Sequence, residues 1–253
     1  MDFPLVCIVP LAFVCEYIDS SLGMGYGTAL TPLLLLLGFE PLQVIPAVLL
    51  SEFATGMTAA LCHHRAANVN LHPSALDAKV ALVLSAFAVL GTVASVVLVV
   101  RLPAGVLKIC IGCIVLSMGV YLLVNFRRRA RFSWTRLMVL GTIASFNKGM
   151  SGGGYGPLVT GGQIMSGVGV KNAVGITSLS EGVTCLIGVV MYCVLRSDID
   201  WTLAPWLAAG ALLSVPCAAQ TLKRIPERPA RLAVVCVILL LGGLTLGKGL
   251  VRV

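Results

Sequence analysis

Two glutamates occupy the same short frame in two apolar stretches, Ser51-Glu52-x-x-Thr55 and Ser180-Glu181-x-x-Thr184. On a helix the Ser, Glu and Thr of each frame fall within an arc of about 100°. One face then carries a carboxylate and two hydroxyls. A carboxylate so placed either moves protons or ions, or hydrogen-bonds irregular backbone and holds it open; both roles fit the pattern. Lys148 follows Asn147 in a third apolar stretch, four residues before a glycine run. An ammonium at membrane depth costs about 2.5–3.5 kcal/mol on insertion scales, so it faces a cavity or a partner unless it snorkels to the interface. Facing a cavity, Lys148 is a counter-charge for an anion and Asn147 a hydrogen-bond donor. Asp19, with Glu16 nearby, is a salt-bridge partner, a proton site or a residue near the outer surface.

The elements that position these groups are duplicated. Gly23-Met24-Gly25-Tyr26-Gly27 recurs as Gly152-Gly153-Gly154-Tyr155-Gly156, and one ungapped shift of 129 residues matches ten of the 33 positions from Gly23 to Thr55. Asp19 falls opposite Lys148 in this register. Each glycine costs about 1 kcal/mol relative to alanine inside a helix, so both runs are expected to be broken backbone. Within a bilayer such backbone is tolerated only when buried in protein or lining a wet cavity. Thr28 and Pro157 follow the runs, so short helices are expected to begin there. Their free N–H groups and partial positive charge suit an anion. Close packing of helices through small residues is the alternative role for the glycines.

Composition sets the surroundings. The 253 residues are 58% hydrophobic and 11% charged, against about 25% charged in soluble domains, and several charge-free stretches are long enough to cross a hydrocarbon core. Ten membrane segments are expected, five per half: 3–18, 28–38, 41–62, 79–100 and 103–125, then 137–148, 157–166, 172–195, 201–220 and 231–250. The second segment of each half is too short to span upright and pairs with the first, as a re-entrant hairpin or as one helix broken in mid-membrane. A hairpin leaves an odd number of crossings per half and inverts the second copy; a broken helix leaves a parallel repeat. The basic bias of the loops changes sides between the halves, which favours inversion. The expected fold is therefore an all-α polytopic membrane protein: a repeat over 1–125, a basic cytoplasmic linker over 126–136 and an inverted repeat over 137–253, with both termini outside.

The formal net charge of +8 does not point to nucleic acid. Arg127, Arg128, Arg129, Arg131 and Arg136 sit in one loop, and Lys223, Arg224, Arg228 and Arg231 in another, the pattern that holds loops in the cytoplasm. Most of the nine cysteines lie within apolar segments, where a thiol acts as a small hydrophobe. Neither Cys110-x-x-Cys113 nor His63-His64 is matched by a second pair, so no metal and no cofactor is expected. No His-Glu-x-x-His or Gly-x-Ser-x-Gly motif and no histidine inside an expected span supports an enzyme.

The stretch 23–32, Gly-x-Gly-Tyr-Gly-x-x-Leu-Thr-Pro, resembles the glycine-rich segment and short helix of the TauE/SafE sulfite-exporter family. The segment 146–157 resembles the second copy, and 174–182 the helix after it. The resemblance covers essentially the whole chain and implies transport of sulfite, or of a small sulfonate such as sulfoacetate, across a prokaryotic plasma membrane. The family pattern matches no substrate-selecting residue, so the site rests on the physical reading. Gly25, Tyr26, Gly27, Asn147, Lys148, Gly153, Gly154, Tyr155, Gly156, Ser51, Ser180, Thr55 and Thr184 are expected around a small anion, with Glu52, Glu181 and Asp19 carrying protons or supporting the hairpins. Membrane lipid is the other expected partner. A passive anion channel, or a cation transporter using the two glutamates, remains the alternative.

Overall fold

Gly23 and Gly152 stop two helices in the same way. Each adopts a left-handed conformation (φ 67° and 70°) and donates its N–H four residues back, to the carbonyls of Asp19 and Lys148. The computed structural model describes residues 4–23, 25–124 and 133–222, and beyond these 232, 236, 239, 240 and 242–247. Its elements are α1 (Ile8–Leu22), α2 (Tyr26–Leu36), α3 (Pro41–Arg65), α4 (Leu76–Val99), α5 (Ala104–Val124), α6 (Trp134–Ser151), α7 (Tyr155–Met165), α8 (Val170–Leu195) and α9 (Ala204–Thr221). No strand occurs among the described residues, and five helical segments there are long and apolar enough to cross a membrane. Large apolar side chains such as Leu82, Leu90, Val194 and Leu213 face outward, as lipid contact requires.

The register of 129 reappears in the helices. Shifted by that amount, α2 becomes α7 residue for residue, α3 runs almost the length of α8, and Gly38 (φ 106°), just after α2, matches Gly167 (φ 88°), just after α7. Three expectations need correction. The short helices begin at Tyr26 and Tyr155, so Gly27 and Gly156 are in first turns and, among the described residues of the two runs, only Gly23, Gly25 and 152–154 are irregular. The first helices run to Leu22 and Ser151 rather than to 18 and 148, which puts Asp19 and Lys148 in last turns. There a cation is favoured by the helix dipole and an anion is not. Finally, α3 continues to Arg65 and buries His63 completely, so a histidine does lie inside a span. Of the basic linker only 133–136 is described, and 134–136 already belong to α6; the second basic cluster lies outside the described residues.

Small residues let the helices approach closely and set their directions. Gly188 meets Leu49, Cys185 meets Glu52 and Gly182 meets Gly56, so α3 and α8 cross antiparallel. By contrast α4 and α6 run parallel, with Gly141 against Leu84 and Gly149 against Ser95. Their repeat counterparts do likewise: Val9 of α1 touches Gly210 of α9, and Tyr17 donates to Thr221. The first helix of each half thus packs on the fourth helix of the other. Gln43 at the start of α3 donates to Asp200 and Thr202 just before α9, which runs parallel to α1, so α2 ends on the side where α1 began and folds back on it as a hairpin.

The tips of the two hairpins cross. A Cβ added to Gly27 would lie 1.8 Å from the Gly152 carbonyl oxygen, and one on Gly153 would lie 2.5 Å from the Gly27 carbonyl carbon. Both obstacles are backbone and cannot rotate away. Gly27→Ala is therefore expected to lower the melting midpoint of the detergent-purified protein by the equivalent of at least about 1–3 kcal/mol. Gly243→Ala, with open space around the added carbon, should leave it unchanged; equal midpoints for the two variants would disprove the crossing.

Candidate functional site

Directly beneath the crossed tips, α6 delivers Lys148. The side chain is 1% exposed, its Nζ lies 2.7 Å from Glu181 Oε1, and it is also ion-paired with Glu52 Oε2. Snorkelling is ruled out. The two glutamates arrive from the antiparallel pair α3 and α8, so the triad joins three helices and both halves of the chain. Glu52 has a second attachment, because its Oε1 accepts the Gly27 N–H at 3.2 Å. Tyr26 N–H donates to Asp19 Oδ1 at 3.4 Å. The first turn of α2, expected to offer free N–H groups to an anion, is thus capped by the protein's own carboxylates.

Around the triad the expected residues divide by half. In the first, Ser51 Oγ meets the Tyr26 hydroxyl at 2.8 Å and Thr55 donates to Glu16 Oε2 at 3.2 Å. In the second, Ser180 and Thr184 turn back to carbonyls of their own helix, Ile176 and Ser180, and the buried Tyr155 hydroxyl has no hydrogen-bond partner among the described residues. Gly154 N–H donates to Thr28 Oγ1 at 2.9 Å, a further tie between the tips, and Gly153 N–H donates to Ser151 Oγ. Asn147 is buried beside Lys148, with its carbonyl accepting from Ser151 Oγ. Gly25 (φ 139°) sits at the turn into α2, and Gly156 lies within the first turn of α7. Tyr26, Gly27, Gly153, Gly154, Asp19 and Ser51 are thus tied to the crossing or the triad, whereas Ser180 and Thr184 bond within their own helix.

Other contributors stand out less in the sequence. Glu16 is 2% exposed and accepts from Ser20 at 2.6 Å; its repeat counterpart is Ser145, so the duplication does not mark it. His63 Nε2 reaches the Ser20 carbonyl at 3.0 Å while Asn68 donates to its Nδ1 at 3.1 Å, which fixes Nε2 as the protonated nitrogen. Tyr192 hydroxyl donates to the Gly149 carbonyl at 3.0 Å. These two contacts are repeat equivalents, since 63 and 20 shifted by 129 are 192 and 149. Each supplies a donor to a last-turn carbonyl that the helix itself leaves free. Cys185 Sγ lies 3.9 Å from Glu52 Oε2.

Four acidic groups, Glu16, Asp19, Glu52 and Glu181, thus line one small cavity of about 10 Å³ with Thr55, Gly56, Ala59 and Ser178, room for about one water molecule. Among the described residues, Lys148 is ion-paired with two of them, Glu52 and Glu181.

Membrane-length helices enclosing an ion-paired polar centre, with unwound backbone at the same depth, define a polytopic membrane transporter. The chain belongs to the sulfite exporter TauE/SafE family, whose model matches residues 8–245. A curated relative, the probable membrane transporter protein YtnM of Bacillus subtilis (strain 168), is 26% identical over 234 residues, covering 87% of this chain and 75% of its own. No solved structure matches the chain.

Removing one member of a buried ion pair costs about 3–5 kcal/mol, because the partner is left charged and uncompensated. Lys148→Met should therefore lower the melting midpoint sharply. Neutralising the whole triad (K148M with E52Q and E181Q) should recover most of that loss. A triple variant no more stable than the single one would show that the ion pairing is not what holds α3, α6 and α8 together.

Proposed function

We propose that the protein is a secondary carrier of a small anion, sulfite or an organosulfonate such as sulfoacetate, working by alternating access between two inverted halves. The observation that carries this reading is the Lys148 ammonium, sealed at the crossing of the two glycine tips beside the first turn of α2. A buried cation next to helix-terminal N–H groups is chemistry suited to an oxyanion. Membership of a sulfite-exporter family supports the substrate class. Inversion is supported by the antiparallel crossing of α3 with its repeat counterpart α8, and by Gly112 and Leu116 of α5 meeting Leu246 and Gly242 in reverse order. The basic linker then lies in the cytoplasm of a prokaryotic cell and both termini outside.

The charge count supports proton coupling. One ammonium offsets one carboxylate, and burial of the remaining charges without partners is costly, so protons accompany the acidic groups when the site is closed. A cation carrier is the second reading, favoured by the four acidic groups around one cavity. Proteoliposomes decide. A pH gradient should drive accumulation of sulfite or sulfoacetate, a protonophore should collapse it, and the charge-balanced variant K148Q/E181Q should reconstitute at normal yield yet transport at least about 100-fold more slowly. Unchanged uptake in that variant would remove Lys148 from the site. Inhibition of transport by divalent metals would favour the cation carrier, and fluxes far above carrier turnover would mark a channel.

A further inference from the structure

The Glu52 carboxylate occupies the position that an anion would take. One oxygen pairs with the Lys148 ammonium and the other accepts the Gly27 N–H in the first turn of α2. These are the buried cation and the helix-terminal amide that a substrate oxyanion needs. Glu181 differs: the contacts of its carboxylate run to Lys148 from α8, and no bond to the first turn of α7 matches that of Glu52 among the described residues. A further group points to a ligand. Thr31 lies one turn beyond Gly27 on the same face of α2, is fully buried, and its hydroxyl has no hydrogen-bond partner among the described residues. It abuts Gly152, where an added Cβ would come within 2.9 Å of Thr31 Oγ1.

Resting on the carrier reading above, we infer that Glu52 is a tethered substitute for the substrate: its carboxylate and the transported oxyanion compete for one seat made of Lys148 Nζ and the Gly27 N–H. The cavity beside Glu52 is about 10 Å³, too small for a sulfonate group, so the anion enters only when the Glu52 side chain leaves. A departing carboxylate must be neutralised, because it moves away from its counter-charge into a space already lined by Glu16 and Asp19 of α1 and Glu181 of α8. Each anion seated therefore brings one proton onto Glu52. The other titratable groups facing this position are Cys185 on α8, Lys148 on α6 and, through Ser51, the Tyr26 hydroxyl on α2. No other cation is paired with Glu52 among the described residues. The same carboxylate reoccupies the seat once substrate leaves, so the empty carrier returns with its lysine neutralised.

Sulfoacetate is a suitable probe, because both of its acid groups stay ionised between about pH 6 and 8. Adding it to weakly buffered, purified wild-type protein should take up about one proton per anion bound, read with an indicator dye. Its affinity should weaken about tenfold per pH unit as pH rises. In Glu52→Gln the uptake should vanish and the affinity become independent of pH. Glu52→Asp, one methylene too short to span both partners, should bind sulfoacetate more tightly than wild type while keeping the proton uptake. Binding to wild type without proton uptake overturns the inference and leaves the carrier reading intact. Proton uptake that persists in Glu52→Gln also overturns it, by moving the proton to another group. If Glu52→Gln does not fold, the wild-type stoichiometry together with Glu52→Asp decides. If sulfoacetate, sulfite and thiosulfate neither bind nor are transported, the carrier reading itself falls and this inference with it.

Discussion

A single buried ammonium holds the centre of this molecule together. Lys148 draws Glu52 of α3 and Glu181 of α8 to α6, and through Glu52 it reaches the first turn of α2. In a membrane interior, where helices gain nothing from leaving lipid for one another, such polar ties and close backbone contacts drive association. The remaining features serve that point. Gly27 and Gly153 let the tips cross closely enough to bring the lysine under them, and Gly56 and Gly182 let α3 and α8 approach so that their carboxylates converge. His63 and Tyr192 occupy the free carbonyls of the two interrupted helices, which would otherwise go unpaired in a dry interior.

The duplication supplies the frame, and departures from it supply the chemistry. Backbone features repeat faithfully: the left-handed glycines after the first and second helices, the eleven-residue short helices, the exchange of partners between first and fourth helices. Side chains at the centre do not. Asp19 stands where the other half has Lys148, Glu16 where it has Ser145, and Thr28, which ties the tips together, where it has Pro157. Among the described residues, the acid of the centre therefore comes mainly from the first half and its ammonium from the second, so neither half holds the ion-paired centre alone.

Much of the architecture was legible because membrane helices announce themselves through length and apolarity, and because the repeat checks each boundary twice. Glu52, Glu181 and Lys148 stood out as ionisable residues in apolar surroundings, and all three meet. Their pairing could not be read, since nothing in a single chain records that Lys148 lies nearer to Glu181 than to the interface. That the N–H groups at the start of α2 are capped within the protein is illegible for a related reason: the carboxylates that accept them, Asp19 and Glu52, come from α1 and α3. Glycine breaks were placed too long because Gly27 and Gly156 look like loop but tolerate a first helical turn, where they serve close approach. His63 lies one residue past the expected span end at 62, and α3 runs three residues beyond that end, to Arg65; its partner in the repeat, Tyr192, falls inside the expected span 172–195.

The exchange of packing partners also sets an order of assembly. Membrane segments leave the ribosome from the N-terminus onward, so α1 is made first, yet the surface against which it packs belongs to α9. Glu52 of α3 likewise enters the membrane before Lys148, the ammonium it pairs with, and α4 precedes its partner α6. A nascent chain interrupted between the halves holds unpaired acid in lipid with no surface to cover it. The same interleaving that hides the charges in the finished protein leaves every half-built form with an unpaired polar face.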